Sequence, residues 1–330
     1  MRVRALWWDD GRLALLDQRL LPAREVVLRL RSVGEVARAI RTMQVRGAPA
    51  IGVAAAYGMA LAAARGRWTP SRAAALLRAT RPTANDLFVG IETVRAAWSS
   101  GGDPLAAADE YARRIIEECR RIGEAGGDLF VERPNVLTHC NAGALATVEW
   151  GTALAPLRVA RDRGAKLFVY VDETRPLLQG SRLTAWELAR ERIPYAVIAD
   201  NAAGHYLKSG AIDAVIVGAD RIARNGDFAN KIGTYEKAVV ARENGVPFYV
   251  AAPWSTFDDA AADGTSIPVE ERDPSEVLAI GRERLAPAGS QARNPAFDVT
   301  PSRYVTAFVT PDGVVRPTEL RRRRPVTRSR

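Results

Sequence analysis

The spacing of apolar and polar positions changes once along this chain, near residue 125, and divides it in two. Before the change, residues 6–8 and 13–16 are short apolar runs around an Asp9-Asp10-Gly11 turn. That pattern predicts a β-hairpin, with 26–30 as a third strand. Residues 33–43 have helical spacing and end at Arg46-Gly47-Ala48-Pro49. Proline suits the first turn of a helix, so the Ala-rich run that follows starts one there. Residues 71–78, 86–98 and 104–122 predict further helices. Residues 1–125 thus form a mainly helical N-terminal domain with a small antiparallel sheet.

Beyond Gly123-Glu124-Ala125-Gly126-Gly127, short apolar runs alternate with helical segments. Strands are expected at 135–139, 167–171, 195–199, 214–217, 248–252 and 304–309. Several are continuously apolar, as strands covered on both faces are. Helices at 183–190 and 235–244 complete βαβ units. The fold class is α/β, with a doubly wound, Rossmann-like parallel sheet over 126–318. Ligands of such sheets bind outside the carboxyl ends of the strands. Residues 319–330 are an Arg-rich tail, expected to be disordered.

Residues 47–64 carry no charge over 18 positions, the lower limit for crossing a bilayer. The run is mostly Ala and Gly and lacks the Leu, Ile and Phe that drive insertion, so a buried core helix is expected, with no membrane association. The first ten residues include two Asp and no apolar core, unlike a secretory signal. Two cysteines make neither a disulfide framework nor a cysteine zinc site, and cytoplasmic residence follows as the default. The formal charge of +9 suggests nucleic acid until it is located. The last ten residues hold six Arg and no acid, and the rest of the chain is only +3. The excess belongs to an appendage, and nucleic-acid binding is not expected.

GxGxxG after a strand, GxxxxGK[ST], HExxH and GxSxG are all absent, and histidines number two, His139 and His205. The usual nucleotide fingerprints and histidine metal clusters are thereby excluded. Candidate chemistry sits at the expected strand ends. The first strand delivers Cys140, followed by Asn141-Ala142-Gly143-Ala144 and an expected helix, whose dipole would favour a thiolate. A small buried residue is the other reading of Cys140. Cys119, mid-helix, reads as structural. The strand at 214–217 delivers Asp220, where partial burial would raise the carboxyl and let it donate a proton. A helix cap or an ion pair with Arg221 is the alternative. Lys231 lies in an Asn/Gly-rich segment read as a turn opening a helix, and Arg46 and Arg81 offer similar cations. Gln179, in the polar loop after Asp172, suits sugar hydroxyls. Together these groups suggest a small phosphorylated sugar.

Eight colinear segments carry a resemblance. They are IRTMQVRGAPAIGVAAAYG (40–58), RPTA (81–84), THCNAGALAT (138–147), DETRPLLQGSRLTAWEL (172–188), VGADRIARNGDFANKIGTY (217–235), PFYVAAPWSTFD (247–258), IPVEER (267–272) and NPAFDVTP (294–301). The chain resembles the methylthioribose-1-phosphate isomerases, in the superfamily that includes regulatory subunits of the translation-initiation guanine-nucleotide exchange factor. The resemblance runs from about residue 1 to 317. It implies Cys140 and Asp220 as the catalytic pair. It implies Arg46, Gly47, Ala48, Arg81, Gln179, Asn230 and Lys231 as substrate contacts. It also implies a homodimer, a sugar-phosphate substrate, and no cofactor or metal.

In the implied reaction of methionine salvage, 5-methylthioribose 1-phosphate becomes the 1-phosphate of 5-methylthioribulose. Phosphate at C1 locks the furanose, so an acid must protonate the ring oxygen, and hydrogen must then pass from C2 to C1. Cys140 either removes a carbon-bound proton or takes the C2 hydroxyl proton during a hydride shift. Residues 85–90 read Asn-Asp-Leu-Phe-Val-Gly where the family pattern is Val-Asn-Leu-Phe-Trp-Ala. If that segment lines the 5-substituent, 5-deoxyribose 1-phosphate or ribose 1,5-bisphosphate becomes an alternative substrate. A non-catalytic regulatory subunit is the rival from another class, but it predicts loss of Cys140 or Asp220, and both are present.

Overall fold

The computed structural model describes residues 3–81, 83–281 and 283–323. Three antiparallel strands open the chain: β1 (Leu6–Asp9), β2 (Arg12–Leu16) and β3 (Val27–Leu30). Asp10 and Gly11 take φ of 45° and 73°, as a tight two-residue hairpin turn requires. Five helices follow: α1 (Val33–Arg41), α2 (Ala48–Ala64), α3 (Pro70–Arg78), α4 (Asn85–Ser99) and α5 (Pro104–Gly126). Ser32, Thr69 and Asp103 cap α1, α3 and α5 by accepting from the N–H of Glu35, Arg72 and Leu105.

α2 is the hub of this half. Every residue from Ala48 to Ala62 is buried, which is why the helix is apolar all round. Its small side chains let α4 approach until backbone meets backbone. A Cβ on Gly90 would lie 2.2 Å from Gly52 O, and one on Gly52 would lie 2.6 Å from Asp86 O. Alanine at either position forces the helices apart. Among the described residues, no helix is long and apolar enough to cross a membrane.

The second half runs β4 (Asn135–Thr138), α6 (Ala144–Thr147), α7 (Leu154–Asp162), β5 (Phe168–Asp172), α8 (Ala185–Arg190), β6 (Tyr195–Ile198), α9 (Ala203–Lys208) and β7 (Ala214–Val217). It continues through β8 (Arg221–Ile222), β9 (Phe228–Lys231), α10 (Thr234–Glu243), β10 (Phe248–Ala251), α11 (Ser275–Leu278), β11 (Ala279–Ile280) and β12 (Glu283–Arg284). It ends with β13 (Phe297–Thr300), β14 (Ala307–Thr310), β15 (Gly313–Val315) and α12 (Leu320–Arg323). Seven strands form one sheet in the order β15-β14-β10-β7-β4-β5-β6, parallel except for β15. Val136, Ala214 and Ile216 feed the apolar cluster on one face, and Leu137, Val215 and Val217 the cluster on the other. The chain leaves β4 outward through β5 and β6, then returns to β7 on the opposite side. Strand order therefore reverses between β4 and β7, where a crevice opens at the carboxyl edge.

All six expected strands are present, with one late start. Residues 302–304 form a 3-10 turn, so the last parallel strand begins at Ala307. Six strands among the described residues were not expected, β11 and β12 among them as a short antiparallel pair. β15 is an antiparallel edge, and β13, β9 and β8 form a separate antiparallel sheet in that order. The Asn225-Gly226-Asp227 segment is thus a hairpin between β8 and β9, and α10 starts only at Thr234. The expected Arg-rich tail begins as one helical turn with Leu320 buried, and residues 324–330 lie outside the described residues.

Candidate active site

β4 and β7 are neighbours, and the segments leaving both turn into one cavity, open to solvent at its mouth. Arg46, Gly47, Ala48, Arg81, Cys140, Gln179, Asp220, Asn230 and Lys231 all line it. They arrive from the α1–α2 loop, the segment before α4, the ends of β4 and β7, the loop after β5, and β9. Gly47 has φ 88°, and a Cβ there would lie 2.5 Å from the Ala146 backbone, so only glycine lets the Arg46 loop close over α6.

Cys140 breaks the strand with φ 62°. Burial pushes its thiol up, while the Arg46 and Lys231 cations oppose that rise. The expected stabilisation by a helix N-terminus does not hold. α6 is a single turn starting at Ala144, and its first N–H groups already donate to Glu187, from Ala144 at 2.7 Å and from Leu145 at 3.2 Å. Asp220 fits the expectation of a raised carboxyl. Burial pushes it up, against Lys231, Arg81 and Arg46. Its backbone is pinned, because Asp220 N–H donates to Ala229 O at 2.9 Å and Asn85 N–H donates to Asp220 O at 3.3 Å. The alternative ion pair with Arg221 is not formed, since Arg221 pairs with Asp258 at 2.8 Å.

Three cations converge. Arg46 is buried, its guanidinium donating to Asn141 Oδ1 and, at 2.5 Å, to Asn141 O. Lys231 is also buried. It donates to Ala296 O at 2.6 Å and lies 4.5 Å over the Phe297 ring. Desolvation pulls both cations below their ordinary ranges, and Cys140 and Asp220 partly restore them. Arg81 stands 3.5 Å from Glu270, too far for a good hydrogen bond, so its Nε–H is buried without a partner. Gln179 Oε1 is likewise buried and unpartnered. Orphaned buried groups carry a penalty of about 1–3 kcal/mol each unless something fills them. A donor and an acceptor left open beside a cationic cluster match a phosphate with hydroxyls nearby.

Lys231 reaches the site from the end of β9, not from a turn opening a helix as its sequence suggested. Residues 85–90 do not line the cavity. Asn85 instead ties Ser255 O and Phe257 O, at 2.9 and 3.3 Å, and holds Asp220 from behind. The expectation that this segment could touch the sugar's 5-substituent is therefore corrected; Met43, Pro49, Ala142, Ala146 and Phe297 form the apolar wall.

Sequence reasoning missed Asn141, Glu187 and His139. Asn141 was legible only as a polar neighbour of Cys140. Glu187 lies 46 positions from Asn141 and carried no local signal. His139 Nε2 donates to Ile232 O and Nδ1 meets Asp172 Oδ2, both at 2.8 Å. His139, Asp172 and Asp200 place their ligand atoms within 4.8 Å of one another. The set does not suit a cation. Asp200 already accepts from the N–H of Thr174 and Arg175, and the Lys237 ammonium stands 3.7 Å from Asp172.

A doubly wound sheet brings an acid, a thiol and three cations together at its switch point, a grouping that suits a small phosphorylated ligand, and comparison with known proteins narrows the reading. Residues 44–317 match the model of the Initiation factor 2 subunit family, and the chain belongs to that family. A methylthioribose-1-phosphate isomerase of Roseiflexus castenholzii is 54% identical, over 95% of each chain. A 5-deoxyribose 1-phosphate isomerase of Moorella thermoacetica is 51% identical, over 94% of this chain and 93% of that one. The crystal structure of 5-methylthioribose 1-phosphate isomerase from Pyrococcus horikoshii superposes with a TM-score of 0.87 at 43% identity, covering 97% of this chain and 94% of that one. Within the family, this chain stands with the methylthioribose-1-phosphate isomerases.

Proposed function

We propose that this aldose–ketose isomerase converts 5-methylthioribose 1-phosphate to 5-methylthioribulose 1-phosphate, a step of methionine salvage. The observation that carries the reading is the meeting of Cys140, Asp220, Arg46, Arg81 and Lys231 in one cavity at the β4/β7 reversal. Arg46, Arg81 and Lys231 hold the C1 phosphate, and Gln179 Oε1 accepts from a sugar hydroxyl. Protonated Asp220 gives its proton to the ring oxygen, and the C1–O bond breaks. A hydride then moves from C2 to C1 while the Cys140 thiolate, favoured by the Arg46 and Lys231 cations against the effect of burial, takes the C2 hydroxyl proton, leaving the C2 ketone. The thiol proton returns to Asp220 after product leaves. The apolar wall of Met43, Pro49, Ala142, Ala146 and Phe297 supports the hydride route over an exchangeable enolate proton.

A second reading has an observation in its favour. Beyond Met43, Arg46 and Gln179 lies a vestibule lined by Arg19, Arg41, Arg182 and Arg272, which could meet a 5-phosphate. Most of these cations are committed: Arg19 to Asp17, Arg182 to Leu21 O, and Arg272 to Glu276. The test compares kcat/KM for the methylthio, 5-deoxy and 5-phospho sugars. Turnover of the first two, with the bisphosphate roughly a hundredfold poorer, supports the reading. A bisphosphate preference, or no isomerisation of any of the three, overturns it.

A further inference from the structure

Cys140 and Thr174 are both non-glycine residues at positive φ, 62° and 64°, and they touch. A β-branched residue there is a genuine outlier, and such conformations persist only where the surroundings over-determine them. The surroundings here are two threonine hydroxyls. Cys140 N–H donates to Thr174 Oγ1 at 2.8 Å, and Thr174 Oγ1 in turn donates to Asp172 O at 3.0 Å. From the other side, Thr184 Oγ1 donates to Cys140 O at 2.6 Å and accepts from Asn141 Nδ2 at 3.2 Å. Both threonines are fully buried. Thr174 is itself fixed, its N–H donating to Asp200 at 2.7 Å. Every polar backbone group of Cys140 is thus held by a side chain contributed from the loop after β5 or the turn before α8.

We infer that Thr174 and Thr184 are positioning residues for Cys140, a clamp of two hydroxyls that holds it in the left-handed conformation and turns its thiol into the cavity. The inference rests on the reading of Cys140 as the proton acceptor. Continued extension of β4 would carry residue 140 along the sheet edge; the left-handed kink lets adjacent His139 and Cys140 both line the cavity. Neither threonine lines the cavity, so each acts through Cys140.

The experiment compares Thr174→Val, which keeps shape and loses the hydroxyl, with Thr174→Ser, which keeps the hydroxyl. It reads kcat, KM and the rate of Cys140 alkylation by iodoacetamide, located by mass spectrometry, with fully buried Cys119 as the internal control. Thr174→Val is expected to lower kcat by roughly tenfold to a hundredfold, as misplaced reacting groups do. KM stays within about threefold, and Cys140 alkylation changes with kcat. Thr174→Ser stays within about threefold of the parent in all readouts. If Thr174→Val does not fold, Thr184→Ala against Thr184→Ser carries the same comparison from the other side of Cys140. Val and Ser variants equally impaired, or both equal to the parent, overturn the clamp. Cys140→Ser separates the two claims. If it is inactive while Thr174→Val and Thr184→Ala turn over normally, the clamp alone fails. If it is fully active, the proton-acceptor reading and the clamp fail together.

Discussion

Replacing Glu187 by glutamine tests whether the site is held from beneath by a buried carboxylate. Glu187 is fully buried and receives four donors. Asn141 Nδ2 and Leu145 N–H reach Oε1 at 2.9 and 3.2 Å, and Ala144 N–H and an Arg158 N–H reach Oε2 at 2.7 and 2.8 Å. Glutamine keeps one oxygen. Its amide must turn toward one donor pair, so two bonds are lost and two buried donors are left facing a third. At about 1–3 kcal/mol per orphaned group, the loss is roughly 3–5 kcal/mol, in line with breaking a buried ion pair. Arg158 keeps Glu191 at 2.7 Å, which prevents a larger loss. For a chain of this size that corresponds to a fall in Tm of roughly 4–7 °C. Asn141 is also the partner of Arg46, so KM for the sugar phosphate rises in the same variant. Thermal melts and steady-state kinetics on the full chain read both effects. Glu191→Gln, at a partner that keeps 16% of its side chain exposed, is expected to cost less than Glu187→Gln. A Glu187→Gln melt within 2 °C of the parent, or a larger loss from Glu191→Gln, would refute the reasoning.

Two further outcomes follow from burial. Asp86 accepts from Ser255 Oγ at 2.5 Å and Thr256 Oγ1 at 3.0 Å, and burial pushes its carboxyl up to about 7. A carboxyl raised on folding contributes stability below its unfolded value that is lost as pH rises through the folded one. Between about pH 4 and 7 the parent should therefore lose up to roughly 4 kcal/mol relative to Asp86→Asn. Paired melts at pH 5 and 8 check this, and a parallel pH dependence contradicts it. At Cys140, the Lys231 ammonium opposes the rise caused by burial. Lys231→Met should move the pH midpoint of Cys140 alkylation upward, and an unchanged or lowered midpoint would contradict the electrostatic account.

The strand ends were the legible part of the site. Apolar runs of four or five residues between polar segments marked β4 and β7, and the carboxyl-edge rule then singled out Cys140 and Asp220 without any contact information. The α2 helix was legible for the same reason, since a run of Ala, Gly and aliphatic side chains has nowhere to go but inside. β9 was not. Asn225-Gly226-Asp227 and Asn230-Lys231 look like a solvated turn, and only pairing between β8 and β13 buries Asn230 and Lys231. The thiol's surroundings were misjudged on local grounds too. A helix did follow Cys140, but the carboxylate that occupies its first N–H groups comes from Glu187, forty-odd residues away. Residues 85–90 were open to a place beside the 5-substituent, but they lie off the cavity and Asn85 buttresses Asp220, a distinction that depends on which side of α4 faces the cavity.

The central claim is that Asp220 and Cys140 together isomerise a 1-phosphorylated aldofuranose with no added nucleotide or metal. Its most direct test is ketose formation from 5-methylthioribose 1-phosphate by the parent, Cys140→Ser and Asp220→Asn, each shown to be folded by its melt. The account predicts turnover by the parent and a loss of roughly a hundredfold to ten-thousandfold in either variant, as when a proton-transfer group is removed. Full activity in either variant would contradict it.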